Sequence, residues 1–406
     1  MTGPRTLQPL PIPTGPAVHS ILPALAAALA GAGPALLPVP ADDPRARNLL
    51  LDTLDPGKPI DDRVALVVAT SGTTGTPKGA LLTAAGLRAG AAATHARLGG
   101  SGHWLLALPA HHIAGLQVLL RSLAAGTTPT VLDVAAGFDP AAFATAVSQM
   151  PGPRRYTSLV PTQLIKALNH PAARAALAGL DAVLVGGAAT PRPLLERALA
   201  AEVAVVRTYG MSETCGGCVY DGVPLDGVQV RIDDGRVVLG GATVALGYRG
   251  RPGHPAFAEP GWYRTDDLGR IDDGILQVLG RLDEAVSTGG LTVLPHVVEA
   301  VLMLHPAVRE CAVFGLPDDR LGERVVAAVV PQDVTAVVPH DVTAVVPHGP
   351  ADLPAVRAHV AAALGPTAAP REVFLLDELP LRGPGKVDRA ALRARFYQSA
   401  ARSSNN

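Results

Sequence analysis

Short apolar runs alternate with longer alanine-rich runs in the first half of the chain. The apolar runs are rich in β-branched residues and predict strands, whereas the alanine-rich runs predict helices. The predicted strands are residues 64–69, 104–108, 182–185 and 203–207, and the predicted helices are residues 84–98, 113–125, 140–150 and 191–200. Because buried strands that alternate with helices are typical of parallel sheets, this part is predicted to be α/β.

The pattern changes after residue 209. Short strand-like segments separated by Gly and Asp, at 228–232, 236–239, 263–265 and 275–279, predict a β-rich subdomain. A compact α+β unit follows, with helices predicted at 295–304 and 353–364 and strands at 308–314, 324–330 and 372–376. We predict a large N-terminal domain with mainly parallel sheets (1–282), a small mobile C-terminal domain (283–397) and a tail (398–406).

Composition narrows the classes of function. The net charge of -1 provides no basic field for nucleic acid, and the three cysteines cannot form a disulfide framework. The apolar stretch 21–39 is interrupted by Pro and Gly, so it predicts a helix from near Ser20 rather than a membrane span or a signal peptide. A cytoplasmic location is expected.

Two features are assigned no chemistry. The segment DVTAVVPH at 333–340 is repeated at 341–348, a period too short for a solenoid, and predicts a loop insertion. Cys215 and Cys218 form a CxxC, but a zinc site would need a second ligand pair and Cys311 stands alone. A redox pair stays open, although small residues beside a more informative motif are the preferred interpretation.

The sharpest chemical signal is TSGTTGTPKG at residues 70–79, directly after a predicted strand. Backbone N–H groups and hydroxyls that converge on one point bind phosphates, glycine permits their close approach, and lysine adds a positive charge. Pro77 and Gly79 exclude the GxxxxGK[ST] nucleotide loop, and a Gly- and Thr-rich surface loop is the alternative. The candidate phosphate-binding residues are Thr70, Ser71, Gly72, Thr73, Thr74, Gly75 and Lys78.

This loop resembles the Ser/Thr/Gly-rich loop, ending in PKG, of the adenylate-forming superfamily of acyl-CoA synthetases, luciferases and adenylation domains. The resemblance implies that the loop grips the β- and γ-phosphates of ATP. The segment YGMSET at 209–214 resembles the next motif, in which Tyr209 would stack on adenine, Ser212 would contact the α-phosphate and Glu213 would help to hold Mg²⁺. Gly187 and Ala188 would lie against the adenine.

Three later parts of the chain resemble motifs of the same superfamily: WYRTDDLG at 262–269, GRLDE at 280–284 with STGGLTVLP at 287–295, and PLRGPGKVDR at 380–389. The resemblance therefore covers about residues 60–392. It implies that Asp267 binds the ribose hydroxyls, that Arg281 reaches the ribose or phosphates, and that Asp283 is the hinge of the small domain. Lys386 would bridge the substrate carboxylate and the α-phosphate. The chain departs from the pattern in Asp266, where most relatives have Gly, in the segment 235–241, which lacks a glutamate, and in its short N-terminal part.

The segment PAHHIAG at 109–115 resembles the acyl-pocket motif, with His112 in the place of its histidine. The acyl pocket is expected near residues 108–116, 157–163 and 210–217. Metal binding by His111 and His112 is disfavoured, because neighbours in an extended segment point to opposite faces and no third ligand is evident. The segment 109–115, the segment 281–295 and the short length together resemble the o-succinylbenzoate–CoA ligase branch of menaquinone biosynthesis.

The resemblance implies ATP-dependent formation of an acyl-AMP from a small carboxylic acid, followed by transfer to coenzyme A, with Mg²⁺ as cofactor and a homodimer as a possible assembly. The catalytic residues would be Lys386, Glu213 and His112. Three alternatives stay open: another aryl- or acyl-CoA ligase, a stand-alone protein that loads a carrier protein, and a nucleotide-binding pseudoenzyme. The presence of Lys386, Glu213 and Asp267 argues against the last.

Overall fold

The structure, a computed structural model, describes residues 5–70, 76–332, 353–381 and 387–403. The chain divides into two compact units. The larger unit comprises Met1–Thr190, Leu194–Thr265 and Arg270–Gln277, and the smaller comprises Pro191–Pro193, Asp266–Gly269 and Val278–Asn406. The predicted α/β class, with a large N-terminal part and a small C-terminal α+β part, is confirmed. The boundaries at 282/283 and 397/398 stay predictions.

The first sheet of the larger unit has four strands in the order β1-β2-β3-β4, of which the first three are parallel and the last is antiparallel. The strands are β1 (Leu7–Ile12), β2 (Ala35–Pro40), β3 (Val64–Thr70) and β4 (Lys78–Thr83). A 3-10 helix (Gly15–Ile21) leads into the helices of this region, which are α1 (Leu22–Leu29), α2 (Pro44–Leu54) and α3 (Ala84–Arg97). Asp43 accepts a hydrogen bond from the Ala46 N–H (2.9 Å), which caps α2 just before its first-turn proline.

The second sheet has seven strands in the order β11-β10-β9-β8-β7-β5-β6. Its parallel strands are β5 (His103–Leu106), β6 (Thr130–Val131), β7 (Arg155–Leu159), β8 (Ala182–Val185) and β9 (Val205–Met211), and its antiparallel edge is β10 (Gly216–Tyr220) and β11 (Val223–Pro224). The helices between them are α4 (Ile113–Ala124), α5 (Pro140–Ser148), α6 (Pro161–Asn169), α7 (Pro171–Ala178) and α8 (Arg192–Ala200). β5 and β8 are largely apolar and buried, which is why they could be predicted, whereas β6 and β7 were not predicted.

The predicted β-rich segment forms a four-stranded sheet in the order β12-β13-β14-β15. Its strands are β12 (Val228–Asp233), β13 (Arg236–Gly241), β14 (Trp262–Asp272) and β15 (Ile275–Arg281). The division between the two units falls within the last two strands.

The smaller unit is built on a five-stranded sheet, in which β17-β16-β19-β18 are neighbours and β20 pairs in parallel with β19. Its elements are β16 (Val286–Thr288), β17 (Leu291–Val293), α9 (Pro295–Leu302), β18 (Val308–Asp318), β19 (Gly322–Pro331), α10 (Leu353–Leu364), β20 (Glu372–Leu375) and α11 (Arg389–Ser403). One apolar cluster packs α9 and α10 against the sheet, and a second, around Phe314 and Phe396, packs α11 against it. The repeated segment 333–348 lies outside the described residues.

The structure differs from the prediction at strands whose polar or glycine residues give no apolar pattern. The strand predicted at 203–207 is β9, which continues through Thr208 and Tyr209 because it pairs with β10. β10 is glycine-rich and was not predicted. Among the described residues, no helix is long and apolar enough to cross a bilayer.

Candidate active site

The predicted phosphate loop connects two strands that pair with each other. Thr70 at the end of β3 lies opposite Lys78 at the start of β4, and Ala69 lies opposite Gly79. Thr70 and Lys78 are half-buried at the two ends of the loop. The other predicted loop residues, Ser71, Gly72, Thr73, Thr74 and Gly75, lie outside the described residues, so their contacts stay predictions.

The second motif packs against the base of this loop. The Ser212 hydroxyl donates a hydrogen bond to the carbonyl of Ala69 (3.3 Å), the residue before Thr70. The turn that carries Ser212 is fixed from within, since Thr214 Oγ1 accepts a hydrogen bond from the Met211 N–H at 3.0 Å. The structure thus brings together two predicted motifs that are about 140 residues apart in sequence.

Glu213 is a buried carboxylate between the two motifs, with only 5% of its surface exposed. The Tyr248 hydroxyl donates to Glu213 Oε1 at 2.6 Å, and the Lys78 ammonium lies over the Tyr248 ring, 5.1 Å from its centre. Burial raises the pKa of Glu213 above its ordinary value, while the Tyr248 hydrogen bond and the Lys78 charge oppose this rise. The Tyr248 side chain therefore connects the Lys78 ammonium with the Glu213 carboxylate.

These residues fit a magnesium ion that is shared with a phosphate. Mg²⁺ is typically held by one or two carboxylates together with substrate phosphates, rather than by a protein cage. Glu213 supplies one hard anionic oxygen donor, and an adjacent cation would offset the cost of burying its charge. Within the part of the chain that the structure describes, no three His, Cys, Asp or Glu side chains are grouped as a metal site of their own.

Tyr248 is not among the site residues predicted from sequence. Its backbone bridges Ala80 in β4, and its ring packs with Phe257 and Tyr263. The sequence does contain a signal for this residue: Tyr248 is an aromatic residue in a Gly- and Pro-rich segment, and only 3% of the residues of this chain are aromatic. The contact with Glu213 could not be read from sequence, because it joins residues 35 positions apart.

The predicted adenine-side residues lie at the carboxyl ends of neighbouring parallel strands. Gly187 and Ala188 are exposed just after β8, and Tyr209 is half-buried near the end of β9. Gly186 allows the two strands to approach, since a Cβ there would lie 2.3 Å from Thr208 Oγ1. In an open α/β sheet this edge is the usual place of a ligand. The contacts of these residues with adenine stay predictions.

The three predicted acyl-pocket segments are neighbours in the larger unit. The buried Gln163 side chain accepts from the Val160 N–H (3.0 Å) and donates to the Ala107 carbonyl (2.8 Å), which joins the ends of β7 and β5. On the other side, the Gln117 amide of α4 donates to the Cys215 carbonyl. Residues at the two ends of the first segment, Ala107 and Gln117, therefore contact the other two segments.

His112 is the N-cap residue of α4, and its N–H donates to the carbonyl of Pro109 at 3.2 Å. The prediction that His111 and His112 point to opposite faces is wrong. Their ring centres are 4.2 Å apart, because the segment turns before the helix instead of continuing as a strand. Burial lowers the pKa of His111, which favours a neutral ring beside His112.

A buried arginine lies further along α4 and was not predicted from sequence. Arg121 donates to the Tyr220 hydroxyl (3.1 Å), and its guanidinium lies 5.1 Å from the centre of the Trp104 ring. Among the described residues, its Nε atom has no hydrogen-bond partner and its guanidinium forms no ion pair. Burying a cation without an acid is costly, and the Tyr220 hydroxyl and the Trp104 ring offset part of that cost.

In the smaller unit, Arg281 links the predicted ribose and hinge residues. Its guanidinium donates to both carboxylate oxygens of Asp283 (2.8 Å each) and lies 3.4 Å from the buried Asp267. Asp266 is more distant, at 4.0 Å. Burial opposes the charge of Arg281, but the hydrogen bonds to Asp283 and the charge of Asp267 outweigh it and raise the pKa of Arg281.

Lys386 lies outside the described residues, but the chain on both sides of its loop is described. Leu381 and Val387 form an antiparallel bridge, and the Asp388 N–H donates to the carbonyl of Pro380 at 2.7 Å. The next residue, Arg389, pairs with Glu299 of α9 (2.6 Å) and with Glu284 (3.1 Å). The two ends of the lysine loop are therefore anchored within the smaller unit.

Family models match most of the chain. The model of the AMP-binding enzymes matches residues 23–248, and that of the AMP-binding enzyme C-terminal domain matches residues 297–386. The chain is 58% identical, over 97% of its length and 100% of the relative, to a probable 2-succinylbenzoate–CoA ligase of Mycobacterium tuberculosis. It is 34% identical to a feruloyl-CoA synthase of Amycolatopsis sp, over 89% of this chain and 75% of the relative.

A solved structure of o-succinylbenzoate CoA synthetase (MenE) from Bacillus subtilis, in complex with the acyl-adenylate intermediate OSB-AMP, is also similar. The TM-score is 0.68 at 26% identity, over 92% of this chain and 80% of that one. The order of motifs, the two family models and these similarities agree with one another. The chain therefore belongs to the AMP-binding enzymes, as an adenylate-forming enzyme of the acyl-CoA ligase family.

Proposed function

We propose that this enzyme is a 2-succinylbenzoate–CoA ligase of menaquinone biosynthesis. The observation that carries the proposal is the 58% identity to the probable 2-succinylbenzoate–CoA ligase, which extends over 97% of this chain and all of the relative. Substrate pockets in this superfamily vary while the fold is kept, so identity over the full length is a stronger argument than the fold alone.

In the first half-reaction, a carboxylate oxygen of the acid attacks the α-phosphorus of ATP and pyrophosphate leaves. We propose that Lys78 and the loop beginning at Thr70 bind the phosphates, and that Ser212 donates to the α-phosphate. Glu213, held by Tyr248, would bind Mg²⁺, which would neutralise phosphate charge. Lys386 would orient the attacking carboxylate.

In the second half-reaction, the thiol of coenzyme A attacks the acyl carbon and AMP leaves. Asp267 would hold the ribose of the nucleotide through both steps, with Arg281 at its side. We propose Asp283 as the hinge residue between the two steps. Asp283 accepts two hydrogen bonds from Arg281, which fix the chain locally. A rotation of the backbone at Asp283 would therefore either break these bonds or move Arg281 together with Asp283.

The proposed function is tested by incubating the purified protein with Mg-ATP, coenzyme A and a panel of acids. The panel contains 2-succinylbenzoate, ferulate, benzoate, a medium-chain fatty acid and several amino acids, and mass spectrometry follows AMP and thioester. Thioester from 2-succinylbenzoate in preference to the other acids, and its loss in Lys386→Ala, is the expected result. Lys166→Ala, which removes an equal charge from helix α6, is the matched control.

Other outcomes would move the assignment. Preferential use of ferulate would favour an aryl-CoA ligase with the substrate of the Amycolatopsis relative. Acyl-AMP that forms without transfer to coenzyme A would favour a protein that loads a carrier. The possible homodimer and the cytoplasmic location stay predictions.

A further inference from the structure

Helix α9 presents a histidine and a glutamate on one face. His296 and Glu299 are three positions apart, so their side chains leave the helix on the same side, whereas Val298 and Leu302 are buried in the core of the smaller unit. His296 lies in the first turn, where the positive end of the helix dipole disfavours a charged imidazole. The position of His296 on the helix therefore already favours the neutral form of its ring.

The half-buried ring of His296 packs directly on the backbone at the end of β15. Gly280 provides the room for it, since a Cβ there would lie 2.6 Å from His296 Cε1 and 2.8 Å from His296 Nε2. The next residue is Arg281, whose guanidinium donates to Asp283 and lies 3.4 Å from Asp267. The His296 ring therefore supports the peptide that leads into the arginine proposed for the ribose side of the nucleotide.

Charged groups surround His296 on the elements that pack against it. They are Glu299 of α9, Arg389 of α11, Glu284 of the turn after β15, Asp267 of β14 and Arg281 at the end of β15. Both glutamates are already paired with Arg389, at 2.6 Å from Glu299 and 3.1 Å from Glu284. Burial lowers the pKa of His296 below its ordinary value, and although the three carboxylates oppose this shift, Arg389 adds to it. The ring is therefore neutral at neutral pH.

We propose that His296 is a positioning residue for the nucleotide, whose neutral ring holds the end of β15, and with it Arg281, beside Asp267. This inference rests on the proposed function, in which Arg281 and Asp267 bind the ribose side of ATP and AMP. A charged ring would lose its hydration against the Gly280 backbone, so protonation would drive the ring out of this contact and free the end of the strand. His296 would act through Arg281 rather than on the nucleotide itself.

The expected pH dependence follows from the direction of this coupling. With the ring packed on Gly280, the protein binds fewer protons than with the ring exposed, because burial lowers the pKa of His296. The packed arrangement is therefore fully favoured above the ordinary histidine pKa of about 6.5, and it loses stability as the pH falls below this value. Affinity for the nucleotide should fall over the same range.

The test is AMP binding to the full chain, measured by calorimetry between about pH 5 and about pH 8, on both sides of the ordinary histidine pKa. Mg²⁺ is left out, so that the titration of Glu213 as a metal ligand does not enter the result. His296→Gln keeps a neutral polar side chain but cannot be protonated, so it should bind AMP as the wild type does at the upper end of the range. Towards the lower end, the wild type should lose about three- to tenfold more affinity than this variant. Ionisation of the AMP phosphate affects both proteins equally.

Two further variants complete the test. His296→Leu removes the titratable group but keeps a side chain against Gly280, so it should share the shallow pH profile of His296→Gln. His305→Gln removes another histidine of the smaller unit, whose ring centre lies 5.3 Å from that of His359, and should keep the wild-type profile. An acid loss as large in both His296 variants as in the wild type, or weak binding by both at every pH, would overturn this inference alone. Absence of AMP binding by the wild type at every pH would overturn the proposed function, and this inference with it.

Discussion

Removing one hydroxyl group, in Tyr248→Phe, should separate the electrostatics of the buried carboxylate from the packing around it. The Tyr248 hydroxyl donates to Glu213 at 2.6 Å, a distance typical of an O–H group bound to an ionised carboxylate. The ring itself packs beneath Lys78 and against Phe257, and a phenylalanine preserves both contacts. The substitution therefore changes the charge state that Glu213 can sustain, and little else.

The size of the effect follows from the contacts. A hydrogen bond to a charged group contributes roughly 1.5–3 kcal/mol, so its loss corresponds to a fall of roughly 10- to 150-fold in kcat/KM for Mg-ATP. The Tyr263 hydroxyl is a second donor to Glu213, which places the expected loss in the lower part of this range. Because burial already raises the pKa of Glu213 and the Tyr248 bond opposes it, the variant should have a still higher pKa.

The assay is the pH dependence of kcat/KM for Mg-ATP, followed as pyrophosphate release at saturating acid and coenzyme A. The ionised carboxylate is the active form, so the acidic limb of the profile should move to higher pH in Tyr248→Phe. Tyr156→Phe is the matched control, since within the described part of the chain this hydroxyl donates to the carbonyls of Leu98 and Gly100 and has no contact with Glu213. A variant with the wild-type acidic limb and wild-type activity would refute the role assigned to Tyr248.

Three further substitutions test other parts of the site. Glu213→Gln should abolish adenylation but raise the Tm of the ligand-free enzyme at neutral and alkaline pH. The fold raises the pKa of Glu213, so the wild type loses stability as the pH rises through that pKa. A variant whose Tm falls as steeply with pH as that of the wild type would contradict this. Asp266→Gly should change KM for ATP by less than about fivefold, because the half-exposed Asp266 is 4.0 Å from Arg281 and such pairs contribute less than about 1 kcal/mol; a larger change would show that Asp266 tunes ATP affinity. Gly210→Ala should lower the free energy of unfolding, measured in urea, by about 1–3 kcal/mol, since the added Cβ would lie 2.1 Å from the Gly216 carbonyl oxygen. An unchanged urea midpoint would show that the backbone of the β9–β10 hairpin shifts to accommodate the methyl group.

The local hydrophobic pattern predicted much of the architecture, because the burial of a strand or helix is reflected in the types of its adjacent residues. The runs that became β3 and β8 are apolar throughout and almost completely buried, so their strands were visible without any knowledge of their neighbours. β10 was not visible, since a short segment that begins with two glycines becomes a strand only through its pairing with β9. The error at His111 and His112 has a similar origin, because a turn before α4 brings the rings together.

Residues of the candidate site could be predicted from sequence where they lie within one short motif. Lys78, Glu213 and Asp267 each lie within a short motif whose residue types suit phosphate, magnesium or ribose. Tyr248 acts on a partner 35 positions away in sequence, Glu213, and could be found only once the strands were assembled. The roles of Lys386 and of the loop residues at 71–75 stay predictions, because they lie outside the described residues.

The placement of the cysteines has a practical consequence for work on this enzyme. Cys215 and Cys218 are fully buried, and burial raises the pKa values of all three thiols, that of Cys218 to about 12. Because the thiolate is the reactive form, the folded protein should be nearly silent towards a chromogenic thiol reagent such as Ellman's reagent. Unreacted coenzyme A can then be titrated with that reagent in samples withdrawn from the reaction, without a background from the folded protein. In a sample of enzyme alone, a slow reaction of the three protein thiols would count the molecules that unfold.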